Sequence, residues 1–197
     1  SIRNLYLDTP DFRLIRRSLE KPVYKEKLRL RSYGRAEGEH PVFMELKKKY
    51  RSVVYKRRLT LPYDRSLDCL NGACPWPETQ IGREIGYAMG FYPHLEPRVY
   101  LSYERDAWFA PESGLRITFD DAIRFRTEEL SLDSDPWGTD LLSPDQVLME
   151  LKAPGAIPLW MVHLLTEMRL YKTSFSKYGT AYQILLEQEW KGEKRYA

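Results

Sequence analysis

Between Tyr24 and Tyr33 every second residue is a cation: Lys25, Lys27, Arg29 and Arg31 alternate with Tyr24, Glu26, Leu28 and Leu30. Successive side chains on a strand point to opposite faces, so this run predicts a strand with one positive and one largely apolar face. The sorting recurs. Glu45, Lys47 and Lys49 stand opposite Met44 and Leu46, and Lys56 and Arg58 stand opposite Tyr55, Leu59 and Leu61. Arg116, Thr118 and Asp120 oppose Leu115, Ile117 and Phe119, while Glu150 and Lys152 oppose Val147, Met149 and Leu151; Tyr103 and Arg105 share a face. A solvated face of an antiparallel sheet would normally mix signs. Four cations in a row, spaced ~7 Å apart, repel by roughly 2 kcal/mol per adjacent pair at an effective dielectric of 20. That arrangement is useful only where an anion neutralises it. A sheet clad outside by helices and ionic inside is best closed into a barrel around water and ligand.

The rest of the chain fits one predominantly antiparallel α+β unit. Ile2–Asp8 reads as a strand, and Thr9-Pro10 as a cap and first position for a helix over Asp11–Glu20. Strands follow at Tyr24–Tyr33, Val42–Tyr50 and Val53–Leu61, the last two as a hairpin around Arg51-Ser52. Asp64–Leu70 and Gln80–Met89 read as helices, separated by the loop Asn71–Pro77. Gly82, Gly86 and Gly90, four apart, mark close packing, with no Lys-Ser/Thr ending for a phosphate loop. Arg98–Phe109 and Leu115–Arg126 are long strands, Ser131–Asp145 a loop, Val147–Ala153 a strand, and Leu159–Tyr171 and Ser176–Trp190 helices. The count is seven strands. The chain starts with Ser1, directly before a strand and without an initiator Met, which suggests a fragment or a processed form.

Composition excludes several classes. No apolar run reaches the roughly 18 residues of a membrane span, and no signal peptide is visible. Aromatics at 13% argue against disorder. Two cysteines, Cys69 and Cys74, make neither a disulfide scaffold nor a four-ligand zinc site, so a cytoplasmic location is expected. The net charge of +3 conceals a segregation: Lys25–Arg58 carries 12 basic against 4 acidic residues, leaving 19 against 24 elsewhere.

Arg forks and Lys point charges suit a chain of phosphates, and a few carboxylates can hold a divalent metal that bridges phosphate oxygens. Nucleic acid is not expected, because lining aromatics are few and no helix-turn-helix or zinc-finger spacing appears. His40, His94 and His163 are scattered, as suits a reaction that needs charge neutralisation and positioning more than an acid or base.

The segments "NLYLDTPDF", "YKEKLRLRSYG", "FMELKKK", "YERDAW", "LRITFDD", "VLMELK" and "SFSKY" occur in the order found in the VTC domain. The chain thus resembles the polyphosphate polymerase branch of the triphosphate tunnel metalloenzymes, from Ile2 to about Tyr182. The resemblance implies an eight-stranded antiparallel tunnel formed by residues 1–197, with transfer of the ATP γ-phosphate onto polyphosphate aided by Mn2+ or Mg2+. Matched by motif, Arg29, Arg31, Lys47, Lys56, Arg105 and Arg116 would be catalytic. Lys25, Lys27, Lys49, Arg58, Tyr103, Lys152, Ser176 and Lys177 would bind phosphate, and Glu150 would hold the metal. Glu45 is expected to pair with lining cations instead, and Asp8 and Asp11 to act as turn and cap residues. The family's first strand, before "NLYLDTP", has no counterpart here, so closure of the tunnel is open and this chain would be part of a larger protein. An inorganic tripolyphosphatase and a non-catalytic polyphosphate-binding module are the alternatives.

Overall fold

The structure, a computed structural model, describes residues 1–193. Its elements in chain order are β1 (Ile2–Asp8), α1 (Arg13–Leu19), β2 (Tyr24–Tyr33), β3 (Pro41–Tyr50), β4 (Val53–Pro62), α2 (Tyr63–Leu70) and α3 (Gln80–Phe91). There follow β5 (Glu96–Ala110), β6 (Leu115–Arg126), β7 (Thr139–Asp140), β8 (Leu148–Lys152), α4 (Leu159–Glu167) and α5 (Lys177–Glu193). The strands form one antiparallel sheet in the order β4-β3-β2-β1-β5-β6, with β7 and β8 sharing the far edge of β6. Among the described residues no pairing joins β4 to β8. The sheet is therefore not closed into a barrel.

The seven strands expected from alternation are present, and an eighth, β7, lies inside the stretch expected to be a loop. Two residues are too short to show a period. Its entry depends on Gly138 at φ 143°, where a Cβ would fall 2.3 Å from the carbonyl oxygen of Phe125. Two helices are shorter than their apolar patterns suggest. α1 starts at Arg13 because Thr9-Pro10 makes a turn first, and Phe12 takes a left-handed φ of 57°. Its free amides are met from the preceding strand: Asp8 accepts from the Leu14 and Ile15 amides at 2.8 and 3.0 Å, and Thr9 Oγ1 accepts from Arg13 at 2.9 Å. The pattern running on to Tyr171 breaks at Arg169, which adopts φ 54° just beyond α4.

The two faces differ as parity requires. On the outer face Leu28, Leu30, Met44 and Leu46 are fully buried, together with Ile85 and Ala88 of α3 and Tyr63 of α2. Burial of such side chains contributes ~1.5–3 kcal/mol each, and α3 supplies that cover. Glu26, the one carboxylate among them, is buried with Tyr92 and Tyr24 hydroxyls donating to it. The inner face is not ionic throughout. Over β1, β5 and β6 it carries Val99, Leu101, Ile123 and Phe125, and Tyr178, Ala181 and Tyr182 of α5 cover them.

A bulge divides these regions. Ser102 lies opposite Arg124, but Glu104 lies opposite Asp121, so β6 has one extra residue where Ala122 takes φ 44°. The extra residue lets Asp120 and Thr118 face inward on one side of the bulge and Ile123 and Phe125 on the other.

Candidate functional site

The register of β2, β3 and β4 stacks the inner-face cations in rungs. Arg29, Glu45 and Arg58 form one rung; Lys27, Lys47 and Lys56 form the next; Lys25 faces Lys49 beyond them. Glu45, 1% exposed, is the hub of the first rung. One oxygen accepts from Arg29 at 2.6–2.7 Å, with Arg31 4.0 Å from it, and the other accepts from Arg58 at 2.5–2.8 Å and Lys56 at 2.9 Å. Burial alone would raise the Glu45 pKa, but Arg29, Lys56 and Arg31 overcome it and hold the carboxyl at about 2. The expectation that Glu45 pairs with lining cations therefore agrees with its surroundings. Four cations share one carboxylate, so the rung keeps an excess of positive charge.

Arg31 is buried on the other side of this hub. Its Nε donates to Asn4 at 2.9 Å and its Nη2 to the Tyr103 hydroxyl at 3.2 Å. Arg29 also donates to Tyr6 at 3.1 Å, and Tyr6 stacks on Tyr178 at 4.4 Å. Burial would raise the Tyr6 pKa, yet Arg29 and Lys27 bring it below the ordinary tyrosine value. Asn4 and Tyr6 were not among the residues picked out by motif. Their signal was available, since Asn4, Tyr6 and Asp8 alternate along β1 as the cations do along β2.

A second ionic centre sits across the sheet. Asp120, fully buried, takes a bidentate bond from Arg105 at 2.5 and 2.6 Å and another from Lys177 at 2.5 Å. Burial works against the charge of Asp120, and Arg105 and Lys177 outweigh it to lower its pKa. The Tyr103 ring lies beneath both cations, at 5.1 Å from Arg105 and 4.6 Å from Lys177. Ser176 caps α5, accepting from the Gly179 amide at 3.2 Å and from Lys27 Nζ at 3.0 Å. The start of α5 thereby enters the site from the C-terminal end of the chain.

The remaining candidates lie at the margins. Lys25 reaches the Ser18 carbonyl at 3.0 Å, while Lys47 is exposed. Both Lys25 and Lys27 have lowered pKa values, first through burial and then through like charges, Lys49 and Lys47 for Lys25, and Lys25 and Lys47 for Lys27. Arg116 is exposed opposite Lys152, and Lys152 bonds Glu150 at 3.1 Å. These three are set along β6 and β8 apart from the Glu45 hub.

Glu150 lies opposite Thr118, whose buried hydroxyl is without a hydrogen-bond partner. Among the described residues no three His, Cys, Asp or Glu side chains are grouped to hold a metal. Glu45 and Asp120 are buried among their cations, whereas Glu150, 45% exposed and paired with the exposed Lys152, stays open to an ion. One carboxylate fits a divalent cation of the Mg2+ class that takes its other ligands from water and phosphate oxygens. It does not make an all-protein cage.

No curated protein matches the sequence. A solved structure of a Bacillus halodurans protein, described as a candidate adenylate cyclase, is similar at a TM-score of 0.51 and 16% identity, covering 89% of this chain and 78% of that one. The likeness shows a shared fold. The VTC domain family matches residues 1–186. An antiparallel sheet with a cationic inner face, met at one corner by a C-terminal helix, thus has its place: the chain belongs to the VTC domain family.

Proposed function

We propose that this protein is a metal-dependent polyphosphate polymerase that moves the γ-phosphoryl group of ATP onto the end of a polyphosphate chain in the cytoplasm. The observation that carries the reading is the lysine ladder on β2–β4. Lys47 stands between Lys27 and Lys56, and Lys25 faces Lys49, while among the described residues only Lys56 of the five has a carboxylate within bonding distance. Like charges opposite one another on a sheet are destabilising. A row of them extending away from the Glu45 hub suits an anion longer than one triphosphate.

The reaction needs little from acid or base groups. The bond from the γ-phosphorus to the β–γ bridging oxygen breaks as a terminal oxygen of the acceptor chain bonds to that phosphorus, and ADP leaves. Positioning and charge neutralisation carry such a transfer. Arg29, Arg31 and Arg105 are held rigid by Glu45, Asn4, Tyr103 and Asp120, so their remaining N–H groups are already oriented for phosphoryl oxygens. Lys27, Lys56, Arg58 and Lys177 add charge around them, and the Ser176 hydroxyl and α5 N-terminus offer a further phosphate contact. Lys25, Lys47 and Lys49 would hold the acceptor chain, with Arg116 and Lys152 at the opposite mouth. Glu150 would hold a Mn2+ or Mg2+ ion, which when bound neutralises charge on the β and γ oxygens.

Incubation with ATP and Mn2+ should yield long-chain polyphosphate on a gel. Orthophosphate released from tripolyphosphate without polymer would make the protein a tripolyphosphatase. Tight polyphosphate binding without turnover would remove both enzyme readings in favour of a binding module.

A further inference from the structure

Cys69 and Cys74 lie far from the cationic face, beneath the outer side of the sheet, and belong to no part of the phosphate chemistry. Cys69 is on the last turn of α2 and is 5% exposed. The chain then reverses tightly: Asn71 donates to the Leu67 carbonyl at 2.9 Å, Gly72 takes φ +74°, and Ala73 donates to the Asp68 carbonyl at 2.8 Å. The reversal returns Cys74 onto the helix it has just left. Its Sγ sits 2.9 Å from Cys69 Sγ, and 3.9 Å from the Arg65 carbonyl. Both cysteines are free, and two thiols without a third ligand do not make a metal site.

We propose that Cys69 and Cys74 form a reversible thiol–disulfide pair whose oxidation fastens the end of α2 to the connection leading into α3. The oxidant would be a low-molecular-weight disulfide of the glutathione type. The partly exposed Cys74 thiolate attacks one sulfur of that disulfide, forming a mixed disulfide and releasing one thiolate. The Cys69 thiolate then attacks Cys74 Sγ, closing the internal bond and releasing the second. Two protein thiols are oxidised and one small disulfide is reduced to two thiols. Burial and the neighbouring Cys74 push the Cys69 thiol up to about 11, so closure should accelerate as pH rises above neutrality.

The consequence is mechanical. Two residues after Cys74, Trp76 packs on Gly86 of α3, where a Cβ would meet the indole at 3.4 Å, and it lies against the outer core. A bond across 69–74 would fix the link that seats α3 on the sheet. A loop this short should still raise the melting temperature by about 4–9 °C.

The test uses the full chain equilibrated across reduced-to-oxidised glutathione ratios, followed by intact mass and thermal melting. The expected result is one species lacking two hydrogens, melting higher, and restored by dithiothreitol. C69S should lose the internal bond and accumulate a glutathione adduct on Cys74; C74S should form neither readily. Persistent free thiols at every ratio, stable glutathione adducts on the wild-type chain, or an internal bond without a rise in melting temperature would each overturn the proposal. Should C69S fail to fold, the wild-type masses and C74S, altered at the more exposed position, still decide it.

Discussion

Lys27 on β2 and Ser176 at the start of α5 meet at 3.0 Å, although 149 positions separate them in the chain. The bond places a C-terminal helix cap inside the cationic site, so helix docking and the proposed phosphate binding draw on the same two side chains. Ser176→Ala removes the cap and the Lys27 partner together, at a cost of about 1 kcal/mol. A lower melting temperature, partly recovered by tripolyphosphate, is the expected outcome. Equal recovery in wild type and variant would separate the helix from the site.

Glu45 sets a pH dependence with a definite sign. Its folded pKa of about 2 lies below the ordinary 4.5, so its contribution is complete above about pH 5 and is lost as pH falls from 4.5 towards 2. The amount is on the order of 2–3 kcal/mol. Glu45→Gln should remove that acid-side loss, destabilise the protein at neutral pH, and bind polyphosphate with a steeper salt dependence. Urea titrations between pH 2.5 and 7 check the first two, and binding at graded ionic strength checks the third.

The lysine ladder predicts a length dependence. Lys47→Ala and Lys49→Ala lie on exposed or half-exposed positions and should leave stability within about 0.5 kcal/mol of wild type. Affinity for long-chain polyphosphate should fall several-fold while affinity for tripolyphosphate changes less. Competition binding with chains of graded length measures this, and equal losses for all lengths would remove the ladder from the acceptor path.

Glu150→Gln separates metal from anion. The side chain is half exposed and its nearest cation, Lys152, is exposed too, so stability should hardly change. Dependence of turnover on Mn2+ should disappear along with activity, while polyphosphate still binds. Retained metal-dependent turnover would place the ion elsewhere.

Asp120→Asn strips the shared partner from Arg105 and Lys177 in a fully buried position. Removing one partner from a buried pair costs about 3–5 kcal/mol. Faster proteolysis or exchange in α5 than in α3 would show that the loss is felt first at the docking of the C-terminal helix.

The strands were legible because their period is two and their inner residues are charged; β2 and β6 run over the residues that alternation marks. Parity also placed Glu45 among cations and Tyr103 beside Arg105. What stayed hidden depended on partners far away in sequence. Asp8 reads as a turn or cap residue, but no local pattern tells which amides it meets, since they lie six and seven residues on. Nor does parity show that α5 lies on the inner face, because Tyr178, Ala181 and Tyr182 look like any helix stripe until β5 and β6 present Leu101 and Phe125 to them. Asn4 and Tyr6 were passed over because β1 reads as apolar, although its alternate positions carry the polar groups.

The extra residue at Ala122 gives β6 two reading frames. Upstream of it the even-numbered side chains face the cationic site, and downstream the odd-numbered ones face α5. Deleting Ala122 would leave both sets facing inward, because the pairings on either side of it would then join in one regular ladder. Keeping Ala122 but pairing it regularly, with the register anchored at Phe125, would instead turn Asp120 and Thr118 outward and bring Phe119 and Ile117 into the site, exchanging the ionic wall for an apolar one without changing a single side chain there. The chemistry of this wall is therefore specified by the bulge as much as by the identities of its residues.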